Sequence, residues 1–102
     1  MRQFDLYENP ISAMRAAVPF VLVLSSHYAT GLTEAIVAPV LRGRTAPVTA
    51  FEIPLERDDE SLLISVTGMI AIRQTDLRRQ VGSAVEHEDA IRRALDRLFT
   101  GF

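Results

Sequence analysis

Residues 88–102 read EDAIRRALDRLFTGF and predict an amphipathic helix. Apolar residues of this segment recur at spacings of three and four, which places them along one stripe of a helix. Gly101 stands where helices commonly end in a left-handed residue, and Phe102 is expected to pack back on the last turn. Ser83 and Glu86 have the spacing of a capping box at the start of this helix. The stripe consists of Ala90, Ile91, Ala94, Leu95, Leu98 and Phe99.

The sequence before this helix predicts short strands in a small antiparallel barrel or a pair of sheets. Each apolar segment is rich in β-branched or aromatic residues, and turn signals separate neighbouring segments. The segment 20–24 is apolar on both faces, which is typical of a central strand. The predicted strands are 4–7, 20–24, 35–41, 48–55, 62–66 and 69–72.

Three of these segments carry more specific expectations. Residues 4–7 alternate apolar and polar, which predicts a strand buried on one face only. Pro39 and Pro54 cannot donate a hydrogen bond to a neighbouring strand, so both predict edge or bulged strands. Residues 57–60, Arg-Asp-Asp-Glu, predict the turn of an antiparallel hairpin.

Composition excludes several classes of protein. The chain has 102 residues, which is enough for one small core and predicts a single domain over 1–102. It has no cysteine, which excludes disulfides, thiolate nucleophiles and Cys-ligated zinc. The net charge of −2 gives no global attraction to nucleic acid or to anionic membranes. The apolar stretch 16–24 is too short for a membrane helix and is interrupted by Pro19, so we expect a cytoplasmic protein.

Residues able to support catalysis or metal binding are few. His27 and His87 lie sixty positions apart and have no partner at the spacing of zinc ligands. Ser26 and His27 are neighbours on an extended segment, where they point to opposite sides and cannot act as nucleophile and base. Glycine-rich phosphate loops are absent from the sequence. We therefore expect no catalytic residue, no metal and no cofactor.

The strongest electrostatic feature is Arg42-Gly43-Arg44. Two guanidinium groups around a glycine suit a phosphate or carboxylate, although an ordinary surface turn is the more frequent explanation of such a triplet.

Four segments resemble the CcdB toxin family: QFDLY at 3–7, DDESL at 58–62, Met69, and the whole stretch 88–102. The resemblance implies an SH3-like barrel with a second small sheet and a C-terminal helix, in a bacterial type II toxin that forms a homodimer. Such toxins bind the A subunit of DNA gyrase, and a CcdA-like antitoxin with a flexible tail neutralises them. The resemblance implies no enzymatic activity and no direct binding of membrane or nucleic acid.

The resemblance also implies a gyrase-binding tip at Phe99, Gly101 and Phe102. Phe102 replaces an isoleucine of the family pattern, and Thr100 stands where the family has tryptophan. Stacking of that tryptophan on a gyrase arginine is worth about 2 kcal/mol, more than tenfold in affinity. Threonine has no aromatic face for this contact. Two functions therefore remain as alternatives: a toxin that binds gyrase, and a dimer that is non-toxic or binds another target.

An enzyme is the remaining alternative. The same barrel architecture resembles that of MazF-type endoribonucleases, in which arginine-bearing loops cut single-stranded RNA. Arg42, Arg44 and His27 would then be the candidate residues, two to hold phosphate and one to transfer a proton. The acidic charge balance and the resemblance of the tip favour the protein-binding toxin.

Overall fold

The chain folds into seven antiparallel strands followed by one C-terminal helix in a computed structural model, which describes residues 1–26, 33–43 and 49–101. Single 3-10 turns occur at Ser12–Met14, Val66–Gly68, Gln74–Asp76 and Val85–His87. The regular elements are β1 (Asp5–Glu8), β2 (Phe20–Val23), β3 (Glu34–Arg42), β4 (Glu52–Arg57), β5 (Glu60–Ser65), β6 (Ile70–Arg73), β7 (Gln80–Ser83) and α1 (Glu88–Thr100).

The strands form one curled sheet in the order β4-β5-β3-β2-β1-β7, and β6 branches from it by pairing with β3. Strand β3 is nine residues long and serves both arms, because its residues 34–37 pair with β6 and its residues 40–42 pair with β5. The fold is therefore a half-barrel with one helix, as predicted. The expected second small sheet is present as the β6 arm, continuous with the rest.

The prediction of an edge strand at Pro39 is wrong, since β3 lies in the middle of the sheet. Leu24 N–H donates to the Ile36 carbonyl at 2.8 Å, so even-numbered residues of β3 exchange hydrogen bonds with β2. The nitrogen of Pro39 therefore faces the fork between β5 and β6, where no strand requires a donor. Gly68 closes this fork, and a Cβ on Gly68 would lie 2.9 Å from Pro39 Cγ.

The prediction of an edge strand at Pro54 is confirmed, because β4 ends the strand order. Val66 N–H donates to the Phe51 carbonyl at 3.0 Å, so Pro54, three residues later, faces away from β5. The turn that follows is also confirmed. Asp58 and Asp59 have φ angles of 51° and 63°, as the two central residues of a tight hairpin turn with the favoured twist require.

Each face of the sheet carries its own core. One face packs on α1 through Ile91 and Ala94, and on it strand residues such as Leu22 and Ile64 are fully buried. The opposite face buries a smaller cluster: Tyr7, Val21, Val23, Ala35, Val37 and Leu77.

Because both faces are covered, β1 is not the half-buried strand that its alternation predicts. Asp5 and Tyr7 are only 8% and 7% exposed. Asn9 helps to cover this face of β1, because its buried side chain is hydrogen-bonded to the segment between β1 and β2. Asn9 Nδ2 donates to the Val18 carbonyl, and its Oδ1 accepts from Ile11 N–H, both at 2.9 Å.

The predicted capping box of Ser83 and Glu86 is wrong. Ser83 belongs to β7, a strand missed in the sequence, and pairs there with Asp5 of β1. Its Oγ accepts a hydrogen bond from Val85 N–H at 3.2 Å, within the turn that leads to the helix. The helix begins at Glu88 after His87, which makes no side-chain capping bond.

Arg57 connects the two ends of the strand order. It stands at the end of β4, and its Nη2 donates to the Val81 carbonyl of β7 at 2.6 Å. Its guanidinium carbon lies 5.5 Å from the centre of the Phe20 ring. Gly82 leaves room for this side chain, since a Cβ there would lie 2.8 Å from Arg57 Nη1. We call these contacts the Arg57 bridge.

Candidate target-binding tip

The last turn of α1, residues 98–101, presents apolar surface to solvent; we call it the tip. Phe99 is 70% exposed and Leu98 is 37% exposed. Gly101 has a φ of +79°, and its N–H donates to the Arg97 carbonyl at 3.1 Å, so the predicted left-handed helix end is confirmed. Phe102, the third residue of the expected tip, lies outside the described residues.

The tip stands on a helix that is held firmly by the core. Ile91 and Ala94 are buried against the sheet. Arg92 ties the outer side of the helix to the N-terminal segment: it pairs with Glu88 at 2.9 Å, donates to Gln3 Oε1 at 3.1 Å and lies over the Phe4 ring at 5.3 Å. The apolar stripe is thus split, because Ile91 and Ala94 enter the core whereas Leu98 and Phe99 are exposed to solvent.

Thr100, at the position of the expected tryptophan, uses its hydroxyl within the helix. Its Oγ1 donates to the Asp96 carbonyl. This leaves the Phe99 ring as the aromatic group that the described tip can offer a partner. Leu98 is the residue that sequence reasoning missed, since the expected tip included Phe99, Gly101 and Phe102 but not Leu98. The signal that could have predicted its exposure is its position in the last turn of the helix, close to the helix end at Gly101.

The candidate residues of the enzyme alternative are not brought together in the described chain. Arg42 Nε and Nη2 donate to the two carboxylate oxygens of Glu60, and its Nη1 donates to the Ala16 carbonyl at 3.1 Å. The charge of Arg42 is therefore already paired with Glu60, at the surface of the protein. Arg44 and His27 lie outside the described residues.

The remaining chemistry of the described residues is sparse. They contain no group of three or more His, Asp or Glu side chains placed to hold a metal ion. Burial, with the nearby Asp5 carboxylate, raises the pKa of Tyr7 above its usual value. Within the described residues, no helix has the length and apolar character needed to cross a membrane.

Comparison with solved structures indicates the class of protein to which this chain belongs. The structure of Mycobacterium tuberculosis toxin MazF-mt6 matches with a TM-score of 0.65 and 27% sequence identity, over 78% of this chain and 84% of that one. A structure described as an Mtb toxin matches with a TM-score of 0.65 and 29% identity, over 82% and 94%. The half-barrel is thus the architecture of a small toxin of the toxin–antitoxin type.

The family follows from the sequence. The family described as CcdB protein matches residues 3–101, nearly the whole chain. The chain belongs to the CcdB family. A search of curated protein sequences finds no match.

Proposed function

We propose that this toxin acts in the cytoplasm without catalysis, by docking its tip on the A subunit of DNA gyrase. The exposure of Phe99 on the last turn of α1 carries this proposal. A large aromatic side chain that its own domain leaves uncovered is the kind of anchor that contributes most to protein interfaces. Membership of the CcdB family supports the choice of gyrase.

The tip suits a contact of moderate strength. Full burial of a phenylalanine side chain contributes about 1.5–3 kcal/mol, to which Leu98 adds. An aromatic group at position 100 would add about 2 kcal/mol by stacking on a cation. We therefore expect this chain to bind gyrase more weakly than a toxin with tryptophan at the tip.

A homodimer would present two tips at once and compensate for a weak single contact. Strand β6 supports this proposal, because within the described residues it pairs with β3 alone and leaves Ile70 51% exposed. A domain of this size also gains from covering such surface. Neutralisation by a CcdA-like antitoxin completes the proposal.

The test measures binding of the purified protein to the breakage-reunion fragment of gyrase A by isothermal titration calorimetry. Phe99→Ala is expected to weaken binding at least tenfold, and Thr100→Trp to strengthen it at least tenfold. Val85→Ala is the matched control, because Val85 is an exposed apolar residue in the turn before the helix, far along the chain from the tip. Absence of binding by both the native protein and Thr100→Trp would contradict the proposal.

Similarity to MazF-mt6 makes RNA cleavage the second candidate. The paired state of Arg42 counts against it. Cleavage of a single-stranded RNA substrate, lost in Arg44→Ala and accompanied by no gyrase binding, would favour the endoribonuclease.

A further inference from the structure

A shallow groove of about 240 Å³ runs between α1 and the edge strand β4. Its floor is formed by small or apolar side chains, Ala90 and Ala94 from the helix and Ile53 from the strand. Arg93 and Arg97 form one rim, and Pro54 and Glu52 form the other. The groove is therefore apolar below and cationic along the helix.

The two rim arginines have no partner for their side chains in the part of the chain that the structure describes. None of the ion pairs and hydrogen bonds among the described residues involves the side chain of Arg93 or Arg97. They lie four positions apart on a helix, where like charges repel. Arg92, which directly precedes Arg93 in sequence, is instead engaged with Glu88, Gln3 and Phe4. The helix thus holds two unpaired guanidinium groups beside the groove.

The spacing of these groups matches an extended acidic peptide. Four helical residues rise about 6 Å, and two residues of an extended chain span about 6.6 Å, so carboxylates at alternate positions can meet Arg93 and Arg97 in turn. The residue between them points to the opposite side of an extended chain. There it meets the floor at Ala90 and Ala94, which favours an apolar side chain.

We propose that this groove binds an extended segment of a partner protein in which acidic and apolar residues alternate. Charge complementarity selects the acidic residues, and the floor of alanine side chains selects the apolar one. Among the described residues that line the groove, Glu52 is the one acidic residue, and its Oε1 accepts a hydrogen bond from Thr49 N–H at 3.2 Å. The side chains along the groove therefore carry a net positive charge.

This surface is separate from the tip. Successive helical residues are about 100° apart around the axis, so Arg93 and Arg97 lie roughly 120–160° from Phe99. A segment bound in the groove leaves the Phe99 ring uncovered. The two sites can accordingly be tested independently, and failure of one says nothing against the other.

The experiment measures fluorescence anisotropy of the labelled peptide GSELELEGS on the full chain. We expect binding that weakens as salt is raised, with at least a tenfold loss in Arg93→Glu and in Arg97→Glu. Arg78→Glu is the matched control, because it changes the net charge equally at an exposed arginine without an ion pair in the described chain; it should change binding less than twofold. Ala90→Leu, which fills the floor with a good helix former, should also weaken binding at least fivefold.

Two further peptides distinguish the contribution of the apolar floor to binding from that of the charges. GSESESEGS lacks the apolar residues and should bind at least fivefold more weakly, and GSKLKLKGS should not bind. An equal loss in Arg78→Glu would overturn the proposal by showing a general charge effect. So would no binding of GSELELEGS at millimolar concentration, or tighter binding of a single-stranded RNA oligonucleotide through the same arginines. Unchanged circular dichroism in each variant verifies that the fold is retained.

Discussion

Removal of the Arg57 bridge is expected to destabilise the half-barrel. Arg57 is 29% exposed and joins edge strand β4 to edge strand β7 through its bond to the Val81 carbonyl. In Arg57→Met the apolar stem stays over Phe20 while the donor is lost. The hydrogen bond of a charged donor contributes about 1.5–3 kcal/mol, and the cation–π contact about 0.5–1 kcal/mol.

Two effects reduce this loss. Arg57 Nε is buried without a hydrogen-bond partner in the described part of the chain, and its nearest carboxylate oxygen, in Asp58, is 4.0 Å away. Methionine removes this unsatisfied group and keeps a favourable contact between sulfur and ring. We therefore expect a net loss of about 2 kcal/mol in Arg57→Met. For a domain of this size that lowers Tm by roughly 8–16 °C.

Gly82 allows this reasoning to be tested by a double-mutant cycle. The three atoms nearest to a Cβ built on Gly82 all belong to the Arg57 guanidinium group, and Nη1 is 2.8 Å away. Gly82→Ala should therefore cost up to about 2 kcal/mol in the native protein, because the guanidinium group must shift and lose its hydrogen bond to the Val81 carbonyl. In the Arg57→Met background the same change should be nearly neutral, because the guanidinium group that supplies the three atoms nearest to the new methyl group is then gone.

The assay is urea unfolding followed by circular dichroism, with the free energy of unfolding extrapolated to water. Additivity of the two substitutions within about 0.5 kcal/mol would refute the reasoning, since it would mean that Gly82 and Arg57 do not interact. A loss below about 0.5 kcal/mol in Arg57→Met would refute the bridge itself.

Three further substitutions test the two cores. Ile91→Ala should lower the free energy of unfolding by about 2–5 kcal/mol, because Ile91 is fully buried between α1 and the sheet. A urea titration measures this loss, and a change under about 1 kcal/mol would contradict the observed packing. Asn9→Ala should cost about 1–3 kcal/mol by leaving the Val18 carbonyl and Ile11 N–H without their partner, and limited proteolysis should then cut the 10–18 segment faster. The raised pKa of Tyr7 means that, as the pH increases, the unfolded chain loses the phenolic proton before the folded chain does. The contribution of Tyr7 to the free energy of unfolding should therefore be constant below about pH 10 and fall above it. Tyr7→Phe should remove that fall in pH-dependent thermal unfolding, and an unchanged profile would assign it to another group.

The elements that could be predicted are those whose signal lies within a few residues. The helix stripe, the left-handed end at Gly101 and the hairpin turn at Asp58 and Asp59 each follow from local periodicity or backbone preference. The resemblance at 3–7 and 88–102 then indicated the family, which the match over residues 3–101 confirmed.

The wrong predictions are those that depend on which other segment pairs with a strand. Pro39 has the same local signal as Pro54, yet β3 is central and β4 is an edge. What distinguishes them is the fork between β5 and β6, which a distant turn at Gly68 fills. The capping box failed for a similar reason, because pairing with β1 places Ser83 in a strand.

Sequence alone indicated six of the seven strands and the helix, and it determined that the helix would carry an apolar stripe ending at a glycine. Only the tertiary structure decided how that stripe is divided, with Ile91 in the core and Phe99 in solvent, and which arginines are paired. Arg42, Arg57 and Arg92 find partners from distant segments, whereas Arg93 and Arg97 face an open groove. The physical reason is that backbone preference acts between neighbours in the chain, while burial and charge pairing depend on which remote segments come into contact.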